Sequence, residues 1–289
     1  MRTMILRIEH ATIYRYRRPV ALGPHRLMLR PRESKDLQVL SSELRTVPPA
    51  TVVWAQDVFG NTVGTAYFQT DTDWLRIGSH VELRLSTRTG PVFDIAATAV
   101  RYPFFYSDAE WTDLGALASP QYADPAGRLL AWAQSFVSGP ATDTMALLTD
   151  LSNGISSAIN YQSRDDEGTQ TPLQTLDRGW GACRDFAVLL AEAARSLGFG
   201  ARLVSGYLYT PVRNLWFWGA ESTHAWVEIY LPGAGWIAFD PTNRSIGGTN
   251  LIPVAVARRM DQIVPVSGSF LGMNDAFCGM SVEVSVTGV

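Results

Sequence analysis

The sequence predicts an all-β N-terminal domain, a small sandwich or open barrel, followed by an α+β domain with a mostly antiparallel sheet. Two observations carry this. From Ile5 to about Thr89 the chain reads as strand-like runs broken by Pro48-Pro49, Gly60-Asn61 and Gly78-Ser79. Beyond about residue 124, apolar residues recur at helical spacing three times and then give way to further strands. A length of 289 residues makes two domains the expected number, with the β domain and its linker at 1–115 and the second domain at 116–289.

In the first domain the strand-like runs are Thr12 to Tyr16, Val39 to Val47, Thr51 to Gln56, Thr62 to Thr70 and Leu75 to Thr89. A stretch rich in aromatics and Pro, Pro91 to Gln121, leads to Asp124, which can cap a helix with Pro125 in its first turn. Leu129, Leu130, Trp132, Ala133, Phe136 and Val137 give that helix one apolar stripe, and Gly139 ends it. A second helix is expected from about Asp143 to Ile159 on Met145, Leu147, Leu148, Leu151, Ile155 and Ile159, weakened by Asn153-Gly154. The third starts near Cys183, because Phe186, Leu189, Leu190, Ala193, Ala194 and Leu197 share one face and Gly198 supplies the stop. Strands follow at about Ala201 to Tyr209, His224 to Leu231, Gly235 to Asp240, Ile252 to Val256 and Met280 to Thr287.

Composition narrows the function classes. With 46% hydrophobic and 18% charged residues the chain has ample material for a core and none of the signature of disorder. A formal net charge of -3 gives no field that favours nucleic acid or an anionic membrane, so neither is expected as a partner. The cluster Arg15, Arg17, Arg18, Arg26, Arg30 and Arg32 reads as a solvated strand face or as partners for acidic residues elsewhere. The apolar stretch near the N-terminus is far shorter than a signal or membrane segment, and a cytoplasmic protein is expected. The 2 cysteines form no disulfide framework or CxxC pair, and the 4 histidines are scattered, so no metal and no cofactor is expected.

The chemistry concentrates in three residues. Cys183 opens an amphipathic helix, where unpaired N–H groups and the positive end of the helix dipole favour thiolate, the reactive form. Taken alone, such a cysteine is more often a small core residue. His224 changes that balance: it begins one strand, and Asp240 closes the next, across a turn at Pro232 to Ala234. A carboxylate beside a base selects the tautomer that leaves the other ring nitrogen free toward sulfur. Side chains alternate across a strand, so a three-residue loop at 232–234 sets Leu231 opposite Gly235 and brings Asp240 opposite Trp226, one same-face step from His224; an even loop turns Asp240 away unless a bulge corrects it.

Four segments carry a family resemblance: Gly179-Trp180-Gly181-Ala182-Cys183-Arg184-Asp185-Phe186, Ser205-Gly206-Tyr207, Ser222-Thr223-His224-Ala225-Trp226-Val227-Glu228 and Gly235-Trp236-Ile237-Ala238-Phe239-Asp240-Pro241-Thr242-Asn243. They resemble the transglutaminase core of bacterial transglutaminase-like proteins. His10-Ala11-Thr12-Ile13-Tyr14-Arg15-Tyr16, Gly23-Pro24-His25-Arg26-Leu27 and Asp57-Val58-Phe59-Gly60-Asn61 are similar to the β domain that precedes the core in that group, so the resemblance covers nearly the whole chain. It implies a papain-like fold with the catalytic cysteine at a helix N-terminus and a Cys183, His224, Asp240 triad, but no substrate. Arg184 departs from the glutamine often found after the cysteine, which sets the neighbouring pocket apart.

The remaining candidates are weaker. An oxyanion formed at the acyl carbon would be held first by the Cys183 backbone N–H; Trp180, Tyr161 and Gln174 are alternatives for the second donor, each also readable as packing or loop structure. Trp216, Phe217 and Trp218 suit a substrate cleft wall as well as ordinary packing. Asp185 reads as structural and as a partner for Arg184, and Cys278 as a buried or half-buried spectator; His10, His25 and His80 need no catalytic role. The expected chemistry is thiol-dependent acyl transfer on an amide through a thioester. It would be hydrolytic, as in a cysteine protease or amidase, with a peptide or amide as substrate. A transamidase using an amine acceptor and a binding module that keeps the fold without turnover are the alternatives.

Overall fold

The computed structural model describes residues 2–87, 92–164, 166–210 and 223–289. Its first part is strands β1 (Arg2–Leu27), β2 (Leu37–Val47), β3 (Ala50–Gln56), β4 (Thr62–Phe68) and β5 (Thr72–Thr87). β1 is far longer than the Thr12 to Tyr16 run expected for it, and it organises the half-barrel sheet. Its first half alternates in period two, with Leu6, Ile8, His10 and Thr12 buried and Arg7 and Glu9 turned outward. After an irregularity between Arg15 and Val20, its second half pairs with β4, and β3 lies outside β4.

Next come β6 (Arg101–Tyr102), helices α1 (Asp108–Leu114) and α2 (Arg128–Gln134), β7 (Thr142–Asp143), α3 (Thr144–Ala158), β8 (Asn160–Tyr161), α4 (Pro172–Arg178), β9 (Trp180–Gly181) and α5 (Cys183–Ser196). The final run is β10 (Ala201–Leu208), β11 (His224–Leu231), β12 (Gly235–Asp240), β13 (Ser245–Ile246), β14 (Leu251–Ala257), β15 (Val266–Leu271) and β16 (Phe277–Gly288). The second sheet is antiparallel in the order β13-β12-β11-β10-β14. Buried α5, with Phe186, Leu189, Leu190 and Ala193, packs on it, and α2 and α3 pack on α5. Among the described residues no helix is long and apolar enough to cross a membrane.

Local chemistry explains where helices start. α3 begins one residue after Asp143, which accepts the Ala146 N–H at 2.9 Å. Asn153-Gly154 does not break it, because the ring of Phe136 packs where a Gly154 side chain would be. Asp124 caps α2 as expected, accepting from Arg128, Leu129 and Leu130, but the helix starts only at Arg128, after a left-handed Gly127, and ends at Gln134, short of Gly139. Helix α4 was legible in Thr171-Pro172 with Gln174, a capping box, and Gly179, yet sequence reasoning missed it.

The C-terminal strands depart from expectation. β15 and β16 do not extend the second sheet; both pair antiparallel with β1, on its later and earlier halves respectively. A boundary at 115/116 therefore does not separate the two sets of strands, since the chain returns to the first sheet at Val266. The reason lies in β1: its earlier half pairs with β5 on one edge and leaves the other to β16, and its later half pairs with β4 on one edge and leaves the other to β15.

Hydrogen bonds from Asn61 and His10 are among the contacts that join the first sheet's side to the second sheet. The turn Asp57 to Asn61 presents the fully buried Asn61 to β14 as a strand would: Nδ2 donates to Val256 O at 2.7 Å and Oδ1 accepts from Val256 N at 2.9 Å. Arg32 adds a bond from Nη1 to Asn61 Oδ1 at 2.6 Å. Buried His10 lies 3.0 Å from the Tyr207 hydroxyl and 2.9 Å from Thr12 Oγ1, and burial pushes it down to about 4, so it is neutral. Asn61→Ala strands the Val256 backbone groups and one Arg32 donor in a buried place; a stability loss of about 2 to 4 kcal/mol in chemical denaturation is expected. A loss under about 0.5 kcal/mol would refute the clamp.

Candidate active site

Helix α5 places Cys183 at its first position, after Ala182 in extended conformation. Ala182 has no capping side chain; instead the carboxylate of Asp185 turns back to accept the Ala182 N–H at 2.9 Å. Asp185 does not pair with Arg184 as expected. Fully buried, it binds Arg164 through Nε at 2.9 Å and Nη2 at 3.0 Å, and accepts the Gln170 N–H at 2.8 Å. Burial alone would push the Asp185 carboxyl up, but Arg164 and the two N–H donors hold it below the ordinary carboxylate value. Arg184 spends its donors on the carbonyls of Gly168, Arg164 and Asp166 at 2.8, 3.0 and 2.7 Å. The first turn of α5 thus ties down Arg164, Asp166, Gly168 and Gln170. The roles of Arg164 and Gln170 had no local sequence signal.

The hairpin of β11 and β12 has the expected three-residue loop. Leu231 lies opposite Gly235 and the register runs unshifted to Val227 opposite Phe239, so Asp240 projects on the face of His224. Gly233 and Gly235, both at positive φ, make this tight turn possible. His224 Nε2 and Asp240 Oδ2 are 2.7 Å apart, both side chains fully buried. Asp240 also makes a turn, because its Oδ1 accepts the N–H groups of Thr242 at 3.0 Å and Asn243 at 3.3 Å. One oxygen makes the turn and the other holds the histidine. Asn243, in that turn, sends Nδ2 to Asp240 Oδ2 at 2.8 Å.

With Nε2 engaged, His224 Nδ1 is buried and has no hydrogen-bond partner among the described residues. Burial would lower the affinity of the ring for a proton. Asp240 and then Cys183 outweigh it, and His224 is held well above its ordinary value. Cys183 is therefore within electrostatic reach of the ring. Trp226 stacks on His224, with ring centroids 6.0 Å apart.

Tyr161, on the short parallel β8–β9 pair that places it opposite Gly181, also lies within the field of Cys183. Burial, then the Cys183 charge, push its hydroxyl up to about 12 against the effect of Arg184. Trp180 is half-buried beneath the Arg178 guanidinium, 5.5 Å from its ring centroid, and its carbonyl accepts from Gln170. Gln174 is exposed, and its Oε1 accepts the Thr171 N–H in the α4 capping box. Trp216, Phe217 and Trp218 lie outside the described residues. Cys278 is exposed, not buried, because β16 is an edge strand.

That difference gives a sharp test. Exposure favours Cys278, while a helix start and a basic neighbour favour Cys183, half-buried as it is. With iodoacetamide at neutral pH, Cys183 is expected to be alkylated at least about tenfold faster. Equal rates in the folded protein would remove the case for an activated thiol.

The fold is that of a two-part transglutaminase-like protein. Residues 6–84 match the bacterial transglutaminase-like N-terminal region, and residues 130–241 match the transglutaminase-like superfamily. The crystal structure of a proposed cysteine protease from Cytophaga hutchinsonii shares the fold with a TM-score of 0.76 at 18% identity, over 99% of this chain and 91% of that one. An uncharacterized protein of Mycobacterium leprae is 25% identical over 97% of this chain and 98% of its own length. A protein-glutamine gamma-glutamyltransferase of Pseudomonas aeruginosa is 37% identical over 70 residues, 23% of this chain and 10% of that protein.

Proposed function

We propose that the protein is a thiol-dependent acyl transferase acting on amide bonds, with Cys183 as nucleophile, His224 as base and Asp240 as the group that orients it. The observation that carries this is the division of labour on one buried ring: Nε2 held by Asp240 at 2.7 Å, Nδ1 without a hydrogen-bond partner among the described residues, and Cys183 close enough to stabilise the protonated form. Thiolate attack on an amide carbonyl forms the carbon–sulfur bond and moves the carbonyl electrons onto oxygen. The Cys183 N–H, and Tyr161 or Trp180 beside it, are the candidate donors to that oxyanion. Collapse of the adduct breaks the carbon–nitrogen bond as imidazolium gives its proton to the departing amine, leaving a thioester.

Water then resolves the thioester, making the protein a cysteine protease or amidase. Transfer to an amine is the second reading, favoured by the segment shared with the gamma-glutamyltransferase, and the same three groups serve both. A folded module without turnover is disfavoured because Cys183, His224 and Asp240 are all present, where loss of one would be its simplest signature. A thiol-directed activity probe, followed by a search for peptides or amides consumed by the wild type but not by Cys183→Ala, tests the proposal and identifies the acceptor. A folded wild type that neither takes up the probe nor consumes any such compound would sink it.

A further inference from the structure

We propose that Asn243 is a positioning residue of this site, its side-chain amide sharing Asp240 Oδ2 with His224 so as to fix that oxygen and moderate its hold on the imidazolium. Asn243 Nδ2 is 2.8 Å from Asp240 Oδ2 and 3.4 Å from His224 Nε2, so two donors converge on one carboxylate oxygen, while the other oxygen takes two backbone N–H groups. The buried carboxylate therefore has four donors, of which only the Asn243 amide can be removed without touching the backbone or the histidine.

The turn that carries Asn243 is held from outside. Arg244 adopts φ 52, a conformation disfavoured for a residue with a side chain, and its guanidinium donates to Ser156 Oγ at 2.9 Å and Ser156 O at 3.0 Å at the end of α3. Helix α3 thereby fixes where Asn243 delivers its amide. Residue 243 is placed by a neighbouring helix, not only by its own strand.

The sign of the effect follows from the charges. Among the described residues, the titratable groups that bear on His224 are Asp240 from β12 and Cys183 from α5; on β10 its paired residue is Gly206, which carries none. A donor to a carboxylate disperses its negative charge, and the positive end of the Asn243 amide lies against the imidazolium; both lower the histidine's affinity for its proton. The two backbone bonds to Oδ1 keep the carboxylate oriented when the amide is gone. Loss of the amide therefore tightens the ion pair and slows proton release to a leaving amine.

The inference rests on reading Cys183, His224 and Asp240 as one site, and NMR of the ring nitrogens in histidine-labelled protein separates the two. In Asn243→Leu, which keeps the volume and removes the donor, and in Asn243→Ala, His224 is expected to lose its proton roughly half to one pH unit higher than in the wild type. An unchanged or lowered titration in either folded variant overturns the role of Asn243. In the wild type itself, one Asn243 side-chain amide proton should exchange slowly and shift as His224 titrates; a freely exchanging amide also overturns it, whether or not the variants fold. In Cys183→Ala the His224 titration should fall, and if it does not, the thiolate–imidazolium reading fails while the Asn243 bond is judged on its own variants.

Discussion

Cys183→Ala and His224→Ala are each expected to cut amide turnover by about 10⁵-fold or more, to the background of binding alone, whereas Asp240→Asn retains measurable activity with a loss of roughly 10³- to 10⁴-fold. The asymmetry follows from the geometry. In the proposed mechanism Cys183 forms the bond and His224 carries the proton, so neither has a substitute. Asp240 acts through His224, and in Asp240→Asn an amide still reaches Nε2. That amide can present either its oxygen or its NH₂ to the ring, and only the first preserves the required tautomer. Asp240→Ala is expected to lose stability as well, because the N–H groups of Thr242 and Asn243 and the His224 ring lose their acceptor in a buried place. Turnover assays on variants with unchanged circular dichroism check this. Full activity in folded His224→Ala would remove the base assignment.

How much of this was legible in the sequence depends on how local the cause is. The β11–β12 hairpin was readable to its register, since period-two alternation, a Pro-Gly-Ala loop and the spacing of His224 and Asp240 all lie within 17 consecutive residues. The start of α5 was equally local. What escaped was decided by partners far away in sequence. Asp185 prefers Arg164 to its neighbour because Arg164 and Gln170 lie against the helix start, which no spacing rule announces. The membership of β15 and β16 in the first sheet depends on the unsatisfied edge of a strand some 260 residues earlier. Asn61 looked like a turn residue and is one, yet its buried amide also completes the edge of β14.

Gly206→Ala is the second substitution with a large expected effect, and it joins the fold to the site. Gly206 pairs with His224 on β10 and sits at the register shift where β14 passes from Ala255 to Pro253. A β-carbon there would lie 2.1 Å from the Ile252 carbonyl oxygen and 2.7 Å from the Trp226 ring that stacks on His224. The backbone angle is not what demands glycine at this position; the close approach is. Replacing glycine by alanine ordinarily stabilises by about 0.4 to 1 kcal/mol through the unfolded chain. Overpacking against a backbone carbonyl costs about 1 to 3 kcal/mol and wins, because β14 cannot rotate aside as a side chain could. Gly64 supplies the contrast: its added β-carbon would meet only the ring of Trp54, which is 47% exposed and free to swing. Gly206→Ala is therefore expected to lower stability by about 2 kcal/mol and, by displacing Trp226, to slow Cys183 alkylation toward the rate of Cys278, while Gly64→Ala changes stability by less than about 0.5 kcal/mol and leaves alkylation alone. Denaturant melts and alkylation rates on both variants decide it, and a Gly206→Ala protein with wild-type stability and wild-type Cys183 reactivity would show that the β10–β14 approach does not support the histidine.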